Sequence, residues 1–203
     1  MKKVFKEYMD DIELEKWQWI GVICLIIVIS GIFGFVYEYI FYYFNDGKFS
    51  WQGGNFLPWI NIYAYGALII ILLSLKSRKN PLLVFIISII STGILEYLTG
   101  FVLHEFFDVR YWDYNKEIIN FGNINGYICL RSVLFFGVSG LLLMYGILPF
   151  FIYLSKTMNK EMFLTFSIIL CIIFLTDEIY NLIIAKTLNL KDAITIYKQL
   201  TIK

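Results

Sequence analysis

The stretch Trp19–Tyr37, WIGVICLIIVISGIFGFVY, runs without a charged residue and is followed at once by Glu38-Tyr39. At 1.5 Å per residue a helix of this length crosses nearly all of a hydrocarbon layer about 30 Å thick. Four more segments carry the same signature. Phe56–Leu75 and Ser132–Ser155 contain no charge, Pro81–Leu103 contains only Glu96, and Met162–Ala185 contains only Asp177 and Glu178. With 59% hydrophobic and 16% charged residues and a mean hydropathy of +0.70, the chain has the composition of a polytopic membrane protein.

The expected fold is all-α, a membrane helix bundle of about five transmembrane helices with a polar outer loop between helices 3 and 4. The expected spans are about 17–44, 56–76, 81–104, 131–155 and 162–186. They follow an amphipathic leader over 1–16 and precede a tail over 187–203. The first apolar core is too long, and its leader too mixed in charge, for a cleavable signal peptide, so the first span is expected to be retained.

Charge fixes an expected orientation and excludes one class of partner. The N-terminal tail (Lys2, Lys3, Lys6, Lys16), the second loop (Lys76, Arg78, Lys79) and the fourth (Lys156, Lys160) are richer in cations than the loops holding Lys48, Arg110, Lys116 and Arg131. The excess of Lys and Arg on one side places the N-terminus in the cytoplasm and the protein, multi-pass, in the cell membrane. A net charge of +1 without a basic run leaves no basis for nucleic-acid binding. Cys24, Cys129 and Cys171 have no metal-ligand spacing and are expected as small core residues, and no cofactor is expected.

The acids inside the spans are the anomaly. A carboxylate in the bilayer costs about 2.5–3.5 kcal/mol on insertion scales, so such a residue faces protein or water and usually serves function. Glu38, Glu96 and Asp177-Glu178 lie past the midpoint of spans running in one direction, which would place them at similar depth in the outer half, as a shared acidic cavity requires. Gly31, Gly34 and Glu38 fall on one helical stripe, as do Gly93, Glu96 and Gly100, so close packing of another backbone beside each acid is expected. Gly34, Glu38-Tyr39, Trp51, Asn55 and Tyr63 are weakly echoed by Gly93, Glu96-Tyr97, Trp112, Asn120 and Tyr127. Pro149, lacking a backbone donor, should kink the fourth span near its cytoplasmic end.

From His104 to Arg131 the chain is too apolar for a solvated loop and too polar for a span. Trp112-Asp113-Tyr114 and neighbouring aromatics suit a membrane interface, and Ile118–Leu130, with Asn120, Asn123 and Asn125, is a candidate re-entrant segment. Arg131 opens the fourth span near the depth of Glu96, either to face that carboxylate or to snorkel at the helix end. His104-Glu105-x-x-Asp108 is only a fragment of a metalloprotease helix motif, and a metal is not expected. The sequence has no nucleophile elbow, phosphate-binding loop or C-x-x-C, so no catalytic motif supports an enzyme.

Gly93-Ile94-Leu95-Glu96-Tyr97, Trp112-Asp113-Tyr114, Asn120, Gly126-Tyr127-Ile128-Cys129-Leu130, Ser132 and Phe136-Gly137 together resemble the bacterial CmpB-like family of type IV ABC-transporter permeases. The resemblance covers about residues 25–155 and departs at Asn115, where Ser is common, and at Phe136, where Trp is common. It implies a permease-like membrane protein with an ATPase or another membrane subunit as partner and oligomers admissible. With cytoplasmic loops as short as Lys76–Asn80 and Lys156–Glu161, an ATPase would have to meet Lys2–Lys16 or a further subunit.

Three functions are therefore weighed. The first is a transporter component binding its substrate or a proton through Glu38, Glu96, Trp112, Asp113, Tyr114, Asn120, Asn125, Arg131, Asp177 and Glu178. The second is an enzyme on lipid or headgroup-linked substrates using Glu96, His104 and Asp113, and the third is a structural subunit. The resemblance ranks transport first.

Overall fold

A computed structural model describes residues 1–201, with side chains through Tyr197. The described chain is helical, with a single isolated β-bridge, Ile124 to Ile128. Helix α1 is Lys2–Asp10, α2 is Lys16–Asp46, and α3 is Asn61–Ser74 with a 3-10 turn to Ser77. Helix α4 is Pro81–Phe107, α5 is Leu130–Thr157, α6 is Lys160–Thr187, and α7 is Ala193–Thr201. Helices α2, α4, α5 and α6 are long and apolar enough to cross a membrane, and the 17-residue Asn61–Ser77 is a shorter apolar helix, consistent with about five spans.

Local chemistry sets these ends. Glu15 and Gln18 form a reciprocal capping box that opens α2, and Gly47, at φ 71°, closes it in the left-handed conformation that glycine adopts without Cβ strain. Asn80 caps α4 by accepting the Leu83 N–H at 3.1 Å, just ahead of Pro81, which costs nothing at a first helical position. Asn159 caps α6 in the same way, accepting from Glu161 and Met162.

The second helix starts later than the apolar run. Residues 56–60 belong to the preceding loop, because the backbone N–H groups of Phe56 and Leu57 donate to the Asp177 carboxylate and Pro58 has no N–H to give. In α5 a π-turn over Leu143–Ile147, in which Leu148 N–H reaches back to Leu143 O, directly precedes Pro149. A second π-turn, Tyr180–Ile184, follows Asp177 and Glu178 in α6.

The chain divides into two compact units. One comprises Met1–Glu13 with Gly66–Tyr153 and is built on α4 packed along α5. Small residues permit that approach: a Cβ added at Gly137 would sit 2.6 Å from the Phe85 ring, and Gly140 lies against Ser88. The same unit holds α1, whose buried Tyr8 anchors it while Arg78 donates to the Tyr8 carbonyl at 2.5 Å.

The other unit comprises Leu14–Tyr65 and the chain from Leu154 on, with α2 packed along α6. Val28, Trp59, Ala64 and Phe174 form its core. Gly31 is the notch that admits Trp59 and Phe174, at 2.9 and 3.0 Å from the position of a Cβ. Gln18 ties the start of α2 to the Ser155 carbonyl at 3.2 Å.

Candidate functional site

In the unit built on α4 and α5, Glu96 lies on α4 at 5% exposure. Gly93 and Gly100, one turn to either side, lie against Ile128 and Val133 and against Tyr127 and Trp112, so the glycine stripe draws the loop and the start of α5 onto the face that carries the acid. The Tyr114 hydroxyl donates to Glu96 Oε1, and the Ser132 hydroxyl lies 2.8 Å from Oε2. Ser132 is also 2.9 Å from the Cys129 carbonyl and accepts the Cys129 N–H at 3.3 Å. Its one proton serves either the carboxylate or the carbonyl.

Tyr114 is held from behind by the loop. Asp113 caps the 3-10 turn Tyr114–Lys116, Tyr114 N–H donates to Gly126 O at 3.1 Å, and Asn120 Nδ2 donates to the Tyr114 carbonyl at 2.9 Å. Burial and the neighbouring Glu96 charge push the Tyr114 phenol well above its ordinary value, so it acts as a neutral donor. Arg131, expected to face Glu96 or to snorkel, has Glu117 as its ion partner at 2.5 Å, with its guanidinium 5.4 Å from the Tyr114 ring centre. Glu117, which the sequence reading passed over, is itself buried, so this pair compensates two charges that would otherwise be stranded.

The remaining loop residues brace one another. Trp112 Nε1 donates to Tyr127 O at 3.0 Å, and Arg110 donates to Asn125 O at 2.7 Å while lying 3.2 Å from Asp113. Burial works against the Asp113 carboxylate, but hydrogen bonds from Asn115 and the charges of Arg110 and Lys116 outweigh it and hold its pKa below the usual value. His104 meets Tyr127 Oη at 2.7 Å and Glu105 at 3.1 Å. Glu96, His104 and Asp113, the trio an enzyme would require, thus each have a separate set of partners.

In the other unit, Asp177 accepts the N–H groups of Phe56 and Leu57 at 3.0 and 2.9 Å and the Asn181 amide at 2.8 Å. Asn181 also accepts the Ala193 N–H at 2.8 Å, fastening the start of α7. Glu178 accepts from the Tyr65 hydroxyl, and Glu38 from the Tyr63 hydroxyl at 3.0 Å. The Tyr63 ring occupies the space beside Gly34. Tyr114 and Ser132 stood in the resemblance, but nothing local in the sequence marked them, or Tyr63 and Tyr65, as the partners of these acids.

A family profile described as "Putative ABC-transporter type IV", of CmpB type, matches residues 8–182. The chain belongs to this family. No curated protein and no solved structure matches it. The matched range contains Glu38, Glu96, Arg131, Asp177, Glu178 and the whole loop that holds Tyr114, so family membership makes the chain an ABC-transporter-type, multi-pass membrane protein with these groups inside the matched region.

Proposed function

We propose that this family member is a permease-like transport component in which Glu96 binds and releases a proton in the outer half of the bilayer, beneath the Trp112-Asp113-Tyr114 loop. The observation carrying this reading is the nature of the partners of Glu96. Hydroxyl groups both donate and accept, so Tyr114 and Ser132 can hydrogen-bond a carboxylate by donating and a carboxylic acid by accepting its proton. Ser132 already has an alternative acceptor for its own proton in Cys129 O. The site keeps its hydrogen bonds in either state of Glu96, as reversible loading demands.

Asp177 supports the contrast. Its partners are two backbone N–H groups and an amide N–H, which donate and cannot accept, so they hold the carboxylate as a fixed acceptor. Asp177 is accordingly a structural brace, and Glu38 and Glu178 are further hydroxyl-bonded acids of its unit. An ATPase or another membrane subunit is the partner that family membership favours.

The test is proton flux into proteoliposomes holding a pH-sensitive dye, driven by an imposed pH gradient. Parent protein is expected to acidify the lumen, and Glu96→Gln to abolish that flux while eluting as the same monodisperse species. Equal flux in both would overturn the assignment of Glu96.

A further inference from the structure

The loop between α4 and α5 turns an apolar tip outward. Ile118, Ile119, Phe121 and Ile124 are exposed, Phe121 at 73% and Ile119 at 56%. Ile119 adopts φ 55°, a left-handed conformation that is strained for a β-branched residue. In a water-facing loop this strain would present a large aliphatic group to solvent for no return, and Asn or Gly would fit the same backbone better.

The position of the tip identifies what covers it. Phe121 O accepts the Leu130 N–H at 2.8 Å, and Leu130 is the first residue of α5, so the tip lies level with the mouth of a membrane span. Exposed apolar residues also stand on the helices to either side of the loop in sequence. Phe101, Val102, Phe106 and Phe107 are exposed at the end of α4, as are Leu130, Leu134 and Val138 at the start of α5. Lys116, just ahead of the tip, is exposed, and its long stem suits a cation reaching toward headgroups. Behind the tip the turn closes on itself, through Ile124 N–H to Ile128 O, Tyr127 N–H to Ile124 O and Asn123 N–H to Asn120 O, which lowers the number of backbone donors an apolar layer would meet.

We infer that the tip formed by Ile118, Ile119, Phe121 and Ile124 is a monotopic membrane anchor, seated in the acyl-chain boundary of the leaflet nearest the loop, rather than a re-entrant segment or a water-exposed lid. The anchor is wired to the Glu96 site by short covalent and hydrogen-bonded links. Asn120, between Ile119 and Phe121, holds the Tyr114 carbonyl, and Glu117, next to Ile118, holds Arg131. Lipid seating of the tip therefore positions Tyr114, whatever Glu96 binds.

The test uses the full-length protein in phosphatidylcholine–phosphatidylglycerol nanodiscs, with a nitroxide attached at Phe121→Cys and, separately, at Ile119→Cys. The labelled parent provides the background from its native cysteines. Collision of the label with oxygen, which concentrates in lipid, is compared with collision with a water-soluble nickel chelate, and Leu134→Cys and Lys48→Cys serve as lipid and water references. At both tip positions the preference for oxygen is expected to match that at Leu134→Cys. A preference for nickel like that at Lys48→Cys would overturn the anchor. So would a label shielded from both reagents and broadened by a second label, the result expected if another copy of the chain covers the tip. If one variant fails to fold, the other decides.

Discussion

At the scale of single residues, the partners of Glu96 make a quantitative expectation. Tyr114→Phe removes one donor from a buried carboxylate while keeping the ring beneath Arg131. An unsatisfied buried group costs about 1–3 kcal/mol, more when charged, so the variant should lose stability in that range, read from denaturant unfolding in detergent. Glu96→Gln should cost less, because an amide still accepts through its oxygen and donates through its nitrogen to a hydroxyl turned to receive it. The double variant should then fall short of the sum of the two, by a coupling of about 0.5–3 kcal/mol for groups in one hydrogen-bonded network. Strict additivity would show that Tyr114 supports the loop without reference to the charge on Glu96. Asp113 provides the acid limit of the same loop. Its folded pKa is held below the unfolded value of about 3.9, so its contribution is present above that pH and is lost as the pH falls through the lowered folded value. Thermal unfolding followed between pH 5 and 2 should show this loss, and Asp113→Asn should flatten it.

At the scale of elements, packing depends on where a helix lacks a side chain. A Cβ at Gly34 would fall within the Tyr63 ring, whose hydroxyl holds Glu38, whereas a Cβ at Gly66 would meet only ordinary contacts at 3.6 Å. Gly34→Ala is therefore expected to destabilise by more than 1 kcal/mol through overpacking, typically about 1–3, and Gly66→Ala to be neutral or mildly stabilising through helix propensity. Melting temperatures of the two variants in one detergent compare them directly, and a Gly34→Ala protein as stable as Gly66→Ala would show that Tyr63 can move aside. Such notches explain why part of this fold was legible and part was not. The long apolar runs announced α2, α4, α5 and α6 because crossing a membrane requires length and apolarity, both local properties of sequence. The start of α3 at Asn61 was hidden, since Phe56–Ile60 is as apolar as a span and its N–H groups are claimed by Asp177, 120 and 121 residues onward. Likewise the acids stood out by their cost in lipid, but Tyr114 and Ser132 reach Glu96 across 18 and 36 residues, and no periodicity encodes a contact between a loop and two helices. Arg131 was placed near Glu96 by depth alone. Its ion partner is Glu117 because that carboxylate ends the turn that Tyr114 opens, and Arg131 lies over the ring of the same tyrosine.

At the scale of the molecule, sidedness is the property on which transport depends, and the N-terminal segment offers a handle on it. Helix α1 is short for a free helix in water, so its order rests on docking. Arg78, in the turn between α3 and α4, donates to the Tyr8 carbonyl at 2.5 Å, the Leu75 carbonyl at 2.9 Å and the Asp10 carbonyl at 3.4 Å. Two of those acceptors lie in the last turn of α1, where orphan carbonyls and the helix dipole favour a cation. Tyr145 donates to the Arg78 carbonyl at 2.7 Å and fixes the turn from α5. Helix α1 and the turn carrying Lys76, Arg78 and Lys79 therefore lie together, and the lysine and arginine excess leads us to expect both on the cytoplasmic side. Arg78→Gln should release α1 without disturbing α4 and α5, because a neutral amide cannot supply the three donors or the charge. In inside-out vesicles, trypsin should then cut at Lys2, Lys3 or Lys6 several-fold faster than in the parent, detected as loss of an N-terminal epitope. Right-side-out vesicles should protect that epitope in both proteins. Cleavage from the right-side-out face would reverse the orientation and move Glu96 to the cytoplasmic half. Equal rates for parent and variant in inside-out vesicles would show instead that Tyr8 alone, buried beneath the turn, is enough to hold the helix.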